Sequence, residues 1–143
     1  MPIDYSSSID LDSMISTTYS NRAYTVWFNK KNYKLAILSN GTPALLNKLV
    51  SSNDLTDIFD DIFSIEEVGI YKPDSKVYDL PIKKYQIKKN EVAFLSSNTW
   101  DVSGGGNYGY NSIWVNRNKN IFDNLDYKPE NEVENLKQLL DII

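Results

Sequence analysis

Two short apolar runs, Leu35-Ala36-Ile37-Leu38 and Val92-Ala93-Phe94-Leu95, constrain this chain most. Neither alternates with polar residues, so each reads as a strand covered on both faces, the kind found in sheets with helices above and below. Both stop abruptly in polar residues, Ser39-Asn40-Gly41-Thr42 after the first and Ser96-Ser97-Asn98-Thr99-Trp100-Asp101 after the second. A further polar cluster, Tyr71-Lys72-Pro73-Asp74, falls between them. Open α/β sheets bind ligands beyond the carboxyl ends of their strands. Function is therefore expected on one rim of one sheet.

The surrounding pattern is helical. Pro43 starts a helix with Leu45, Leu46, Leu49 and Val50 on one side, ended by Asn53 or Asp54. Residues 55–63 carry an apolar face of Ile58, Phe59, Ile62 and Phe63 and lead into a short strand at 63–65. Asp74 caps a helix over 74–85 with Val77, Tyr78 and Ile82 inward and a kinking Pro81 inside. A helix over 100–108 holds three consecutive glycines, and Ile113-Trp114-Val115 is a third strand. Val133, Leu136, Leu139 and Leu140 predict an amphipathic helix over 132–142.

Residues 1–12 read as a loose start with a cap at Asp10 or Asp12. The 11–31 stretch is divided: Leu11, Met14, Ile15 and Thr18 suit a helix, whereas Ala23-Tyr24-Thr25-Val26-Trp27-Phe28 is aromatic and β-branched. Helix is the expectation, ending at Asn29-Lys30-Lys31-Asn32. The alternation of strand and helix predicts an α/β fold with a parallel sheet and right-handed crossovers.

With 143 residues, 41% of them hydrophobic, one domain core is the expectation. Net charge is −4, and no stripe of Lys and Arg interleaves with stacking aromatics, so no nucleic-acid partner is expected. No apolar run approaches the roughly 20 residues that cross a bilayer. A cytoplasmic protein is expected. The chain has neither Cys nor His. That excludes disulfides, thiolate or imidazole metal sites and a Ser-His-Asp triad, and leaves carboxylate nucleophiles, lysine bases and oxygen-ligated magnesium.

Each candidate residue has a plain structural reading beside the functional one. Ser39 and Asn40 precede a helix N-terminus and can hold an anion, or simply form a turn. Lys72 can be a solvated charge, Asp101 can complement a helix dipole, and Trp100 can be packing. Ser103-Gly104-Gly105-Gly106 lacks the Gly-Lys-Ser/Thr of a phosphate loop, so close helix-to-sheet packing explains it better.

Together, Leu35 to Gly41, Tyr71-Lys72-Pro73-Asp74 with Val77-Tyr78, Ser96 to Asp101, and Trp114-Val115-Asn116-Arg117 resemble the (S)-2-haloacid dehalogenases of the haloacid dehalogenase superfamily. The spacings agree, with 33 residues from Ser39 to Lys72 and 24 more to Ser96. The resemblance covers about residues 32–143 and implies a three-layer, Rossmann-like α/β core. It also implies a carboxylate nucleophile that displaces halide from C2 of a short 2-halocarboxylate, giving an ester that water opens. By the same resemblance Ser39 and Asn40 receive the substrate carboxylate, and Lys72 holds the nucleophilic Asp ionised. Ser96 and Asn98 orient that Asp, Tyr78 supports the site and Trp100 lines the alkyl pocket. Asp101 pairs with Lys72 and helps place the water. No metal or other cofactor is implied. The superfamily's phosphatases bind magnesium partly through a carboxylate where this chain has Ser97, so dehalogenase is favoured over phosphatase.

The family's nucleophile motif, an apolar run reading roughly Phe-Asp-x-x-Gly-Thr, has no match here, nor do the Arg and Phe of its helical lid. Residues 1–31 are expected to be a remnant of lid and connecting helix, and 32–143 the C-terminal part of the core, inactive alone. The competing reading is a non-catalytic remnant or small-carboxylate binding module. In the superfamily the nucleophile strand lies between the strands ending at Ser39 and Ser96, so its loss leaves a gap. Residues 24–28 can fill it as a substitute strand, or a partner chain can supply one; the family's members are often homodimers.

Overall fold

The computed structural model describes the backbone of residues 25–29, and residues 34–142. Its strands are β1 (Thr25–Asn29), β2 (Leu35–Ser39), β3 (Asp61–Ser64), β4 (Val92–Ser96), β5 (Asn111–Val115) and β6 (Asn131–Val133). The helices are α1 (Pro43–Ser52), α2 (Ser75–Tyr85) and α3 (Thr99–Tyr108), with short 3₁₀ turns at Ile65–Glu67, Lys89–Glu91 and Leu136–Asp141. The strands form one sheet in the order β3-β2-β1-β4-β5-β6.

β2 and β4 are buried along their whole lengths. Their alternate residues face opposite layers: Ala36, Leu38, Val92 and Phe94 meet Val77, Tyr78 and Tyr110 on one face. On the other, Leu35 and Ile37 pack with Val50, Leu55 and Phe59, while Ala93 and Leu95 pack with Ile113, Val133 and Leu139. Burying each Leu, Ile or Phe in these layers contributes roughly 1.5–3 kcal/mol. The result is the expected three-layer α/β architecture.

Local chemistry sets the element ends. Thr42 caps α1 by accepting from the Leu45 N–H, with Pro43 in the first turn. Asp74 caps α2 by accepting from the Lys76 N–H at 2.9 Å, and Gln86 closes it in the left-handed region at φ 52°. The glycine run lies inside α3, where it admits three neighbours. A Cβ on Gly105 would stand 2.5 Å from the Phe94 ring, and one on Gly106 2.2 Å from the Tyr127 ring.

The structure corrects several expectations. Residues 25–29 form a strand, not a helix, antiparallel to both β2 and β4. The sheet is therefore mixed, although β2 with β3, β4 with β5 and β5 with β6 are parallel. Pairing the exposed edges of two fully apolar strands outweighs the helical spacing upstream. Of the two ways foreseen to fill the gap between β2 and β4, the structure has the substitute strand. The rest of the 11–31 stretch, Tyr24 and the caps at Asp10 or Asp12 lie outside the described residues.

β3 begins at Asp61, earlier than the expected strand at 63–65, because residues 61–64 run parallel to β2. No continuous helix spans 132–142. Val133 pairs with Val115 as strand β6, and Asn135 then caps a 3₁₀ turn by accepting from Lys137 and Gln138. The unpaired edge of β5 claims the backbone there, and Leu136 and Leu139 reach the core from the 3₁₀ turn instead.

Candidate active site

β2 and β4 end at the same rim with the same turn. The Ser39 hydroxyl accepts from the Gly41 N–H at 3.0 Å, and the Ser96 hydroxyl accepts from the Asn98 N–H at 3.2 Å. Both serines are buried. Each hydroxyl, having accepted, keeps its own hydrogen to donate. β1 starts between them: Thr25 stands opposite Leu38, and Val26 opposite Leu95. Its sequence, Thr-Val-Trp-Phe-Asn, contains no carboxylate.

The loop before α2 is tied to this rim, since the Asn40 side-chain oxygen accepts from the Lys72 N–H at 3.0 Å. The Lys72 Nζ then donates to Asp101 Oδ2 at 3.1 Å, with both side chains sealed from solvent. Burial lowers the Lys72 pKa, and the neighbouring Asp101 charge and hydrogen bond oppose that shift. The Tyr78 hydroxyl donates to the other carboxylate oxygen, Asp101 Oδ1, at 2.8 Å. Burial, reinforced by the Asp101 charge, pushes the Tyr78 phenol far up, so it stays a donor. Phe94 packs edge-on to Tyr78 at 5.5 Å and lies 5.5 Å from the Lys72 ammonium. Tyr110 donates its hydroxyl to the Tyr78 carbonyl.

Asn98 occupies the cap position of α3, yet its side chain makes no capping hydrogen bond. It lines an open groove of about 680 Å³ with Trp100, Trp114 and Ile121. Trp100 is 39% exposed there, so packing alone does not account for it. Ile121, on the opposite lip, is 93% exposed.

The structure thus joins Lys72, Asp101 and Tyr78 directly, and brings Asn40 to them through the Lys72 backbone. Ser39 and Ser96 flank the start of β1, while Asn98 and Trp100 face the adjoining groove. Sequence reading gave no role to Asp123, which accepts from the Thr99 hydroxyl. It also gave none to Asn116, which is buried and exchanges hydrogen bonds of 2.9 Å with the backbone of Asn120. These two hold the 117–123 loop as the groove's outer wall. The Arg117 guanidinium reaches the Ser97 hydroxyl at 3.3 Å. The Thr99–Asp123 and Arg117–Ser97 contacts join residues 24 and 20 positions apart, so no local pattern announces them.

Comparison with known proteins identifies the family. The family model for haloacid dehalogenase-like hydrolases matches residues 23–109. The chain is 39% identical to an (S)-2-haloacid dehalogenase of Pseudomonas putida over 105 residues, 73% of this chain and 46% of that protein. It is 36% identical to the (S)-2-haloacid dehalogenase of Pseudomonas sp. strain YL over 113 residues, 79% of this chain and 49% of the relative. Among solved structures, an L-2-haloacid dehalogenase from Xanthobacter autotrophicus with covalently bound chloropropionic acid superposes with a TM-score of 0.72 and 28% identity. That match covers 75% of this chain and 53% of the other. The chain spans about half the length of the curated relatives it matches. With the matched residues running from the substitute strand through the whole of α3, the chain belongs to the haloacid dehalogenase-like hydrolase family.

Proposed function

We propose that the chain carries the lysine–aspartate and hydroxyl part of an (S)-2-haloacid dehalogenase site and binds a short 2-halocarboxylate. The buried Lys72–Asp101 pair at the strand-end rim carries this reading, because two sealed charges are costly unless their geometry serves a purpose. Ser39 and Asn40 receive the substrate carboxylate, and Trp100 lines the alkyl side. Lys72 holds a nucleophilic carboxylate ionised. Ser96 and Asn98 orient it, Tyr78 fixes Asp101, and Asp101 places the hydrolytic water.

In the reaction the nucleophile's oxygen bonds to C2 as the carbon–halogen bond breaks, the electron pair leaving with halide. Water then adds to the ester carbonyl and releases the 2-hydroxyacid. β1 lies between the two serine-ended strands and brings no carboxylate. We therefore expect no turnover by this chain alone. That same observation favours a second reading with the same ligand, a small-carboxylate binding module. The Arg117–Ser97 contact supports either reading over a magnesium phosphatase, since a guanidinium there opposes a dication.

The test is chloride release from (S)-2-chloropropionate by the purified chain, alongside binding of the same compound by calorimetry. Saturable binding with release at the buffer rate is expected. Release well above buffer, abolished by Lys72→Ala, would overturn the claim that the chain is inactive alone. Absence of binding would overturn the site itself, and magnesium-dependent hydrolysis of p-nitrophenyl phosphate would replace it with a phosphatase.

A further inference from the structure

The three glycines of α3 have different neighbours, and Gly104 meets the hydroxyl that holds Asp101. Gly105 faces Phe94 and Ser112 of the sheet, and Gly106 faces Tyr127. Gly104 is one helical turn beyond Asp101 on the same side of α3. A Cβ built there would stand 2.5 Å from the Tyr78 hydroxyl oxygen and 2.8 Å from the Pro73 Cβ. Neither atom is the free end of a flexible chain. Tyr78 is fully buried among Phe94, Tyr108 and Tyr110, and Pro73 directly follows Lys72.

We propose that Gly104 is a positioning residue for the Lys72–Asp101 pair. The notch left by its missing side chain seats the Tyr78 hydroxyl against Asp101 and the Pro73 ring against α3. One oxygen of Asp101 is fixed by Tyr78 at 2.8 Å and the other meets Lys72 at 3.1 Å. A methyl group at position 104 displaces the first contact and, through Pro73, disturbs the backbone that carries the second. Its importance for catalysis rests on the dehalogenase reading, but the geometry does not, so the test reads the ion pair without turnover.

The experiment follows the Lys72 side chain by NMR of lysine ¹³Cε against pH, with the resonance assigned by its loss in Lys72→Met. Among the described residues Asp101 is a charged group that faces Lys72, with the Tyr78 hydroxyl on that carboxylate's far oxygen. Gly104→Ala should lower the Lys72 titration midpoint by about half a pH unit or more, because a displaced carboxylate holds the ammonium less firmly. Tyr78→Phe should move it in the same direction. Gly106→Ala, which strains packing against Tyr127 and not against the ring beside Lys72, should lower Tm without moving the midpoint. Equal movement in Gly104→Ala and Gly106→Ala, or none in Gly104→Ala, would overturn the proposal.

If Gly104→Ala does not fold, Gly104→Ala with Tyr78→Phe decides, since phenylalanine lacks the oxygen that the methyl group would meet. A cooperative unfolding transition in the double variant supports the proposal, and its absence overturns it. Loss of (S)-2-chloropropionate binding by the wild-type chain would sink the dehalogenase reading while leaving this result intact. An unmoved Lys72 would do the reverse.

Discussion

The Lys72 ammonium meets the Asp101 carboxylate at 3.1 Å across 29 residues of sequence, and neither side chain reaches solvent. A pair so enclosed contributes little net stability as a pair, but each member is costly to strand. That asymmetry separates the site's chemistry from ordinary packing.

Lys72→Met removes the cation that faces the buried Asp101 carboxylate. It should cost about 3–5 kcal/mol of unfolding free energy in urea melts. Adding Asp101→Asn should recover roughly half of that loss, because the stranded charge goes too. Equal stability of the single and double variants would show that the pair is not isolated from water.

The tyrosines set the alkaline limit. Burial, joined at Tyr78 by the Asp101 charge and at Tyr110 by the neighbouring Tyr108, raises both phenols above their ordinary value of 10.0. Unfolded phenols release protons near that pH while folded ones keep them, so their contribution to stability is complete below it and falls as pH rises further. Lys72 has the opposite sign: its folded pKa is lowered, so stability rises with pH up to its ordinary 10.5. Urea midpoints should fall above pH 10, with a shallower fall in Tyr78→Phe. Tyrosinate absorbance from these two rings should appear together with unfolding, not before it.

Gly105 and Gly106 differ in how far their neighbours can yield. Phe94 is fully buried, whereas Tyr127 is only half-buried and can swing outward. Gly105→Ala should cost about 1–3 kcal/mol by overpacking, and Gly106→Ala distinctly less. Thermal melts of the two variants check the order.

Asn116 donates to the Asn120 carbonyl and, at 2.6 Å, to a Glu132 carboxylate oxygen. Asn116→Ala should cost about 1–3 kcal/mol, because it removes three hydrogen bonds of a buried side chain. Asn116→Asp should be worse, because it turns both donated bonds into repulsions. Amide exchange should quicken across 117–123 in either variant.

The strands at 35–38, 92–95 and 113–115 were legible because an apolar run bounded by polar turns has one good home in an α/β sheet. Asp74 announced its helix by cap chemistry, and the glycine run announced close packing. β1 was misread because aromatic and β-branched residues followed a helical spacing, and what decides between them is the gap between β2 and β4, a tertiary fact. The C-terminal stretch was misread for a related reason: Val133, Leu136 and Leu139 suit a helix until the open edge of β5 is known. The Lys72–Asp101 pair came from family resemblance, since a lone lysine and a lone aspartate so far apart carry no local signal. Gly104's contact with Tyr78 had no signal at all, because the register between α2 and α3 creates it.

The central claim is that these strand and turn ends form one carboxylate-binding rim, and amide NMR of the ¹⁵N-labelled chain titrated with (S)-2-chloropropionate tests it most directly. The account predicts saturable shifts concentrated at 39–41, 72 and 96–101, with little change at the opposite rim around Asn29 and Val92. Shifts that are absent, or that centre on the opposite rim, would contradict it.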